Sequence, residues 1–406
     1  MHTPGGLKAG EMFVQQPPPP RPSDSSSGPE QEKLKATANS TSLLPPNGTD
    51  GLNHLDRSSL SNRISTINSS FKYLYRLTPE QVDSFMASYV IYNLDWADEP
   101  QMISELGSDY NSKIGECLRA YYGVMNHLCA LGDVEKMYIP PLMNINASVI
   151  ENQLLYERAV AQAIGLQPGH RVLELGCGRG RVAAHMATIS SAKVTGLNID
   201  PNQIAQAREF NAGRGLIDNV FQVHDFNDLP LPFPEDDSFD ACYQIQALSL
   251  CKDLTELFRE IFRLLKPGAR FSLLDWVSLP AYDPSNPEHA ELMRRVKPLI
   301  GAVGTPTPQD FEDALRKAGF TVVRSENASK IGHGEGFQAP LIDRVDVYFR
   351  LVRRVILGLV RMRCLPAHFK TLINRLCLDG QAFVKMDKMG LVTTSWWVVA
   401  EKPRGR

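Results

Sequence analysis

The chain has 406 residues, room for one large domain with appendages, and its 43% apolar content is ordinary for a globular protein. A formal net charge of −2 and a pI near 6.5 leave no electrostatic footprint for DNA or RNA, so no nucleic-acid partner is expected. Seven cysteines, at 117, 129, 177, 242, 251, 364 and 377, show neither C-x-x-C spacing nor the density of a disulfide scaffold, which points to a reducing, cytoplasmic setting.

Residues 1–65 are rich in Pro, Ser, Gly and Asn, including Pro17 to Pro20 and Ser25 to Ser27, and read as a disordered tail. No apolar leader region and no run of 18 uncharged apolar residues occurs, so neither secretion nor a membrane span is expected. Residues 66–165 read as a helical cap. Thr78-Pro-Glu-Gln81 has the capping pattern, and Ser148 to Ala163 repeats apolar residues at helical spacing.

The core is expected over 166–330. An apolar strand, Val172 to Leu175, runs into a turn with alternating glycines, Gly176, Gly178 and Gly180, and a helix starts near Arg181. Such glycines let the backbone approach a ligand that any Cβ would exclude. Dinucleotide enzymes use G-x-G-x-x-G and seat a pyrophosphate at the helix start. Here Glu174 stands two residues before the first glycine, and an acid facing the loop suits a cationic amino-acid moiety better; a plain strand-to-helix turn is the alternative. A second strand, Lys193 to Asn198, precedes Asp200 at a cap position and a helix from Asn202 to Phe210. Strands at Val220 to Val223 and Ala241 to Ile245, a helix Leu254 to Leu265 closed by Lys266-Pro-Gly268, and a strand Arg270 to Leu274 follow.

This order resembles the class I S-adenosylmethionine (SAM) methyltransferases. Gly196-Leu-Asn-Ile-Asp-Pro-Asn-Gln203, Phe258 to Gly268, and Asp275-Trp-Val with Tyr282 to His289 resemble the sterol 24-C-methyltransferase family over roughly residues 150–330 and the closing strand. The resemblance implies an α/β fold: a Rossmann-like seven-stranded sheet, last strand antiparallel, with helical caps. It implies SAM as cofactor, no required metal, and a pocket lined by Glu174, Gly176, Gly178, Gly180, Asn198, Gln203, Asp225 and Phe226, with Asp225 meeting the adenine amino group.

The acceptor side departs from that family. Its Tyr-Glu-Tyr-Gly-Trp run is replaced by Leu131 to Tyr138 and the following Ile-Pro-Pro, and its Glu-Ala-Thr-Cys-His by Gln246-Ala-Leu-Ser-Leu250. Candidate acceptor-side groups are Asp275, Gln246 and Tyr138, with Glu135, His224 and His289 behind them; a structural carboxylate at Asp275 and packed side chains at the others are the competing readings. A second helical cap is expected at 331–389, before a closing strand in 390–406. Within it, 341–365 mixes apolar residues with six arginines, consistent with a core-facing helix, a greasy pocket wall, or peripheral contact with an intracellular membrane. The leading expectation is methyl transfer to a lipophilic small molecule, sterol-like, terpenoid or otherwise hydrophobic. A true sterol C-methyltransferase with relocated acceptor groups and a SAM-binding protein without transfer are the alternatives. Oligomeric state is not legible.

Overall fold

The computed structural model describes residues 66–96, 98–131, 136–334 and 336–404, all within one compact unit. The expected tail over 1–65 and the candidate Glu135 lie outside the described residues.

The sheet is built from β1 (Arg171–Leu175), β2 (Lys193–Asn198), β3 (Val220–Val223), β4 (Phe239–Ile245), β5 (Leu265–Ser278), β6 (Thr321–Asn327) and β7 (Val392–Glu401). Their order is β3-β2-β1-β4-β5-β7-β6, with β7 antiparallel to both β5 and β6 and the remaining pairs parallel. Val172 pairs with Val194 on one side and Ala241 on the other, so β1 is central and buried on both faces, as its apolar run requires. Strand order reverses between β1 and β4, which opens a crevice at their carboxyl ends.

β5 differs from the sequence expectation. It begins at Leu265, five residues early, because Leu265 pairs with Phe239 while Lys402 exchanges backbone hydrogen bonds with Gly268 and Ala269. Lys266-Pro-Gly268 therefore lies inside the strand rather than closing the preceding helix.

Before the sheet come α1 (Pro79–Ala87), α2 (Glu99–Leu106), α3 (Tyr110–Leu131) and α4 (Val149–Ala163). Thr78 and Ser148 both form complete capping boxes, with Gln81 and Glu151 reaching back to the cap N–H groups. Alternation along β1 sorts the two faces of the sheet. Val172 points to the layer of α4, α5 (Arg181–Ser190) and α6 (Pro201–Ala212), where Tyr156, Met186 and Ile204 are buried. Leu173 and Leu175 point to α7 (Leu254–Leu264) and, beyond α8 (Pro287–Ile300), α9 (Pro308–Lys317), where Phe258, Phe271 and Phe311 are fully buried. Each such aromatic contributes on the order of 2 kcal/mol or more through burial.

Between β6 and β7 the chain inserts α10 (Ala328–His333), α11 (Ala339–Arg361), α12 (His368–Leu376) and α13 (Gly380–Lys388). Phe369 and Leu372 of α12 share a cluster with Phe85 of α1 and Leu118 and Tyr121 of α3, so helices before and after the core join in one layer.

Candidate active site

The crevice at the sheet's switch point is a cleft with about 1040 Å³ of space between its atoms, mouth included.

Its floor is the glycine turn. Gly176, Gly178 and Gly180 all have left-handed φ, at 70°, 51° and 67°. A Cβ on Gly176 would stand 2.6 Å from the Cβ of Ala247, so the β1 and β4 loops close against each other only because the side chain is missing. Gly176 and Gly178 line the cleft. Gly180 does not: a Cβ there would meet Ala207 and Asn211 at 2.8 Å, and its role is close packing of α5 against α6.

The other expected cofactor residues, Glu174, Asn198, Gln203, Asp225 and Phe226, line this one cleft. Asn198 Oδ1 accepts from the backbone of Asp200, and Asp200 caps α6 through Asn202 N while accepting from Gln203 Nε2 at 3.3 Å. Asp225 Oδ1 accepts from the backbone and side chain of Asn227, leaving Oδ2 for a donor in the cleft. Glu174 is buried with the neutral Tyr243 hydroxyl beside it, and it makes no ion pair among the described residues. Burial pushes the Glu174 carboxyl up to about 8. A buried acid in that state is a place for a cation: an ammonium or sulfonium would supply the missing counter-charge and draw the carboxyl into its charged form. These residues fit the aminoacyl end of SAM.

The opposite wall comes from the helical cap. Leu118 and Tyr122 of α3 stand with Met137, Phe226 and Leu250, and Tyr138 closes the side. Tyr138 is buried and its hydroxyl donates to Glu157 Oε1 at 2.7 Å. Glu157 also receives both Lys136 contacts, 2.6 and 2.7 Å, and His185 Nδ1 at 2.5 Å. Burial would raise the Glu157 carboxyl, but Lys136 and His185 outweigh it and hold it below the ordinary value. Tyr138 is thus held as a donor, with burial raising its phenol far above the usual range.

Gln246 lines the cleft in a left-handed conformation, φ 52°, with its side chain fully engaged. Its Oε1 accepts from Ile139 N, and its Nε2 donates to Ile139 O and Thr394 O. It ties the two walls together. Asp275 stands apart from the cleft lining, which corrects the expectation that its strand-end position faces an acceptor. It is 1% exposed, and its oxygens accept from the backbone of Trp276 and Leu248 and from Gln244 Nε2. Burial raises it to about 6, and those donors oppose the rise. Its task is to hold the loop after β4. His224 lines the cleft and donates from Nε2 to Asp228 O; His289 accepts from Asp283 N and is not a lining residue.

Sequence reading missed the Lys136, Glu157 and His185 cluster and the α3 wall. Their partners come from three separated elements, and no local spacing links them. Among the described residues no group of three or more His, Cys, Asp or Glu is placed to hold a metal.

Comparison with known proteins accords with this geometry. The methyltransferase-domain family model matches residues 173–273, from β1 into β5. The methyltransferase phqN of Penicillium fellutanum is 28% identical over 298 residues, 68% of this chain and 87% of that one. Cycloartenol-C-24-methyltransferase of Arabidopsis thaliana is 34% identical over 183 residues, 45% of this chain and 54% of that one, so the chain spans about half the length of that relative. Among solved structures, the [4+2]-cyclase SpnF has the same fold, with TM-score 0.57 and 20% identity over 72% of this chain and 97% of that one. The chain thus carries a SAM-dependent methyltransferase domain and is similar over about half its length to sterol and terpenoid methyltransferases.

Proposed function

We propose that this SAM-dependent methyltransferase methylates a lipophilic small molecule with a sterol-like or terpenoid frame. The observation that carries the reading is the cleft's asymmetry. Its recess offers to a cation the Glu174 carboxyl, which makes no ion pair among the described residues, while Leu118, Tyr122, Phe226 and Leu250 offer the facing ligand apolar and aromatic surface. The similarity to cycloartenol-C-24-methyltransferase supports the same acceptor class.

SAM, when bound, would supply an electrophilic methyl on a sulfonium, open to displacement by an electron pair of the acceptor with sulfur leaving as a neutral thioether. The residues of this chain contribute placement and dryness. Glu174 would take the aminoacyl cation, Asp225 Oδ2 would accept an amine hydrogen bond, and the apolar wall would exclude water from the reacting pair. Gln246 cannot serve as a base, since an amide has no basic lone pair at neutral pH and both of its ends are engaged. It ties the loop after β4 to Ile139 and to β7.

The test is incubation of purified protein with methyl-labelled SAM and separate sterol and terpenoid extracts, followed by mass spectrometry of the organic phase. Label should appear in a lipophilic product with the native chain and be at least tenfold lower with Glu174→Gln. Measurable SAM binding with label retained in the aqueous phase for both extracts would sink the acceptor reading.

A further inference from the structure

α11 carries two apolar faces. Its inner face packs through Val352 and Ile356 against Phe369 and Leu372 of α12 and Leu128 of α3. That contact already gives a surface helix its one buried stripe, so the opposite face should be polar. Instead Val347, Tyr348, Leu351 and Val355, with Met362 just past the helix end, recur at three-, four- and seven-residue spacing along the outside, each 45–65% exposed. Five large apolar side chains aligned on one outward stripe form a patch rather than a scatter.

Beyond Asp343 and Asp346 in its first turns, the helix and the segment after it are one-sided in charge. From Val347 to Leu378 the sequence contains seven Lys or Arg residues and no Asp or Glu, in a chain whose net charge is −2. Arg354 sits within the stripe, and Arg361 and Arg363 stand at its end. Together with Lys370 they make no ion pair among the described residues. The neighbouring Arg350 and Arg375 are bound inward, to Asp346 and Asp379.

These features select among occupants. A second copy of the chain meeting this face about a two-fold axis would set Arg354 and Arg361 against their own equivalents with no carboxylate between them. A nucleic acid would use the arginines but gain nothing from Leu351 and Val355. An anionic lipid surface uses both, with aliphatic side chains at the acyl boundary and guanidinium groups among phosphate and carboxylate headgroups. No described helix is long and apolar enough to cross a membrane, and the arginines within α11 would keep it at the surface.

We propose that the outward face of α11 docks on an anionic phospholipid bilayer, with the helix axis in the plane of the interface. α12 couples this face to α3, which supplies Leu118 and Tyr122 to the cleft, so docking would bring the acceptor wall close to lipid. The proposal stands apart from the acceptor reading, because it concerns partitioning and not turnover.

Flotation of the full chain with phosphatidylcholine vesicles, and with vesicles in which three lipids in ten are phosphatidylserine, tests it. Binding should be at least tenfold stronger to the serine-containing vesicles and weaken severalfold between 0.1 and 0.5 M salt. Leu351→Ser with Val355→Ser, and separately Arg354→Gln with Arg361→Gln, should each lower vesicle binding about fivefold or more while melting temperature and SAM binding stay unchanged. No preference for the anionic vesicles, or a dimer in light scattering that the same substitutions dissolve, would overturn it.

Discussion

The glycine turn and the wall facing it across the cleft are held by different means. Around the turn, position is set by backbone over a few residues: left-handed glycines, Asp200 capping α6, Asn198 bonding two residues ahead. On the other side of the cleft, the segment that follows Tyr138 is set by side-chain amides that reach far along the chain. Gln246 bonds residues 107 and 148 positions away, and Gln338 donates to Pro140 O while accepting from Thr394 N and Oγ1. The first arrangement should tolerate loss of distant side chains and fail when a Cβ is added. The second should do the reverse.

The largest effect is expected from Gly176→Val. Its Cβ would meet the Cβ of Ala247 at 2.6 Å from a φ of 70°, so calorimetry should show SAM affinity down by about 100-fold or more and unfolding about 2–4 kcal/mol easier. Retained affinity within threefold would break the backbone half of the comparison.

Next comes Gln246→Ala, which orphans Ile139 N–H and two carbonyls. Stability should drop by about 1–3 kcal/mol, and SAM affinity should change less than acceptor KM. An equal loss in both would mean that the two walls are not independent.

Asp275→Asn sharpens the contrast between a structural acid and a reacting one. An amide there must turn its NH2 toward a backbone N–H of Trp276 or Leu248, at a cost of about 1–2 kcal/mol in a denaturant titration, while kcat of the folded fraction stays within a few-fold. A kcat loss of about 1000-fold with stability intact would restore Asp275 as a reacting group.

A prediction of another kind, spread over pH rather than set by a substitution, is a slope in the cofactor-free protein. Glu174 is raised to about 8 from its ordinary 4.5, so between those values the folded chain holds a proton that the unfolded chain has released. Stability from this group therefore falls as pH rises from about 5 to about 8, by at most ~1.4 kcal/mol per unit, and Glu174→Gln should flatten that slope in urea midpoints at pH 6 and 8.

The sheet and the recess were readable because strand, turn and helix start are neighbours in sequence, and burial on both faces of β1 leaves an apolar run as its signature. Gly180 shows where that reading stops, since the residue type announces a close approach without saying to what, and here it is Ala207 and Asn211. Asp275 shows the same limit for a carboxylate. Its end-of-strand position was legible, but a register shift beside it in β5 and the turn after β4 bring two backbone N–H groups to it.

By itself the sequence determined the succession of strands, helices and the glycine turn, because periodicity, caps and turns act over a few residues, while the antiparallel last strand and the SAM pocket were what its family resemblance implied. Only the tertiary structure decided which acceptor-side groups are spent on structure, as with Asp275 and Gln246, which are held as donors, as with Tyr138 on Glu157, and which apolar face of α11 stays uncovered. Those outcomes depend on hydrogen-bond partners and packing surfaces supplied from distant parts of the chain, and a linear pattern carries no record of them.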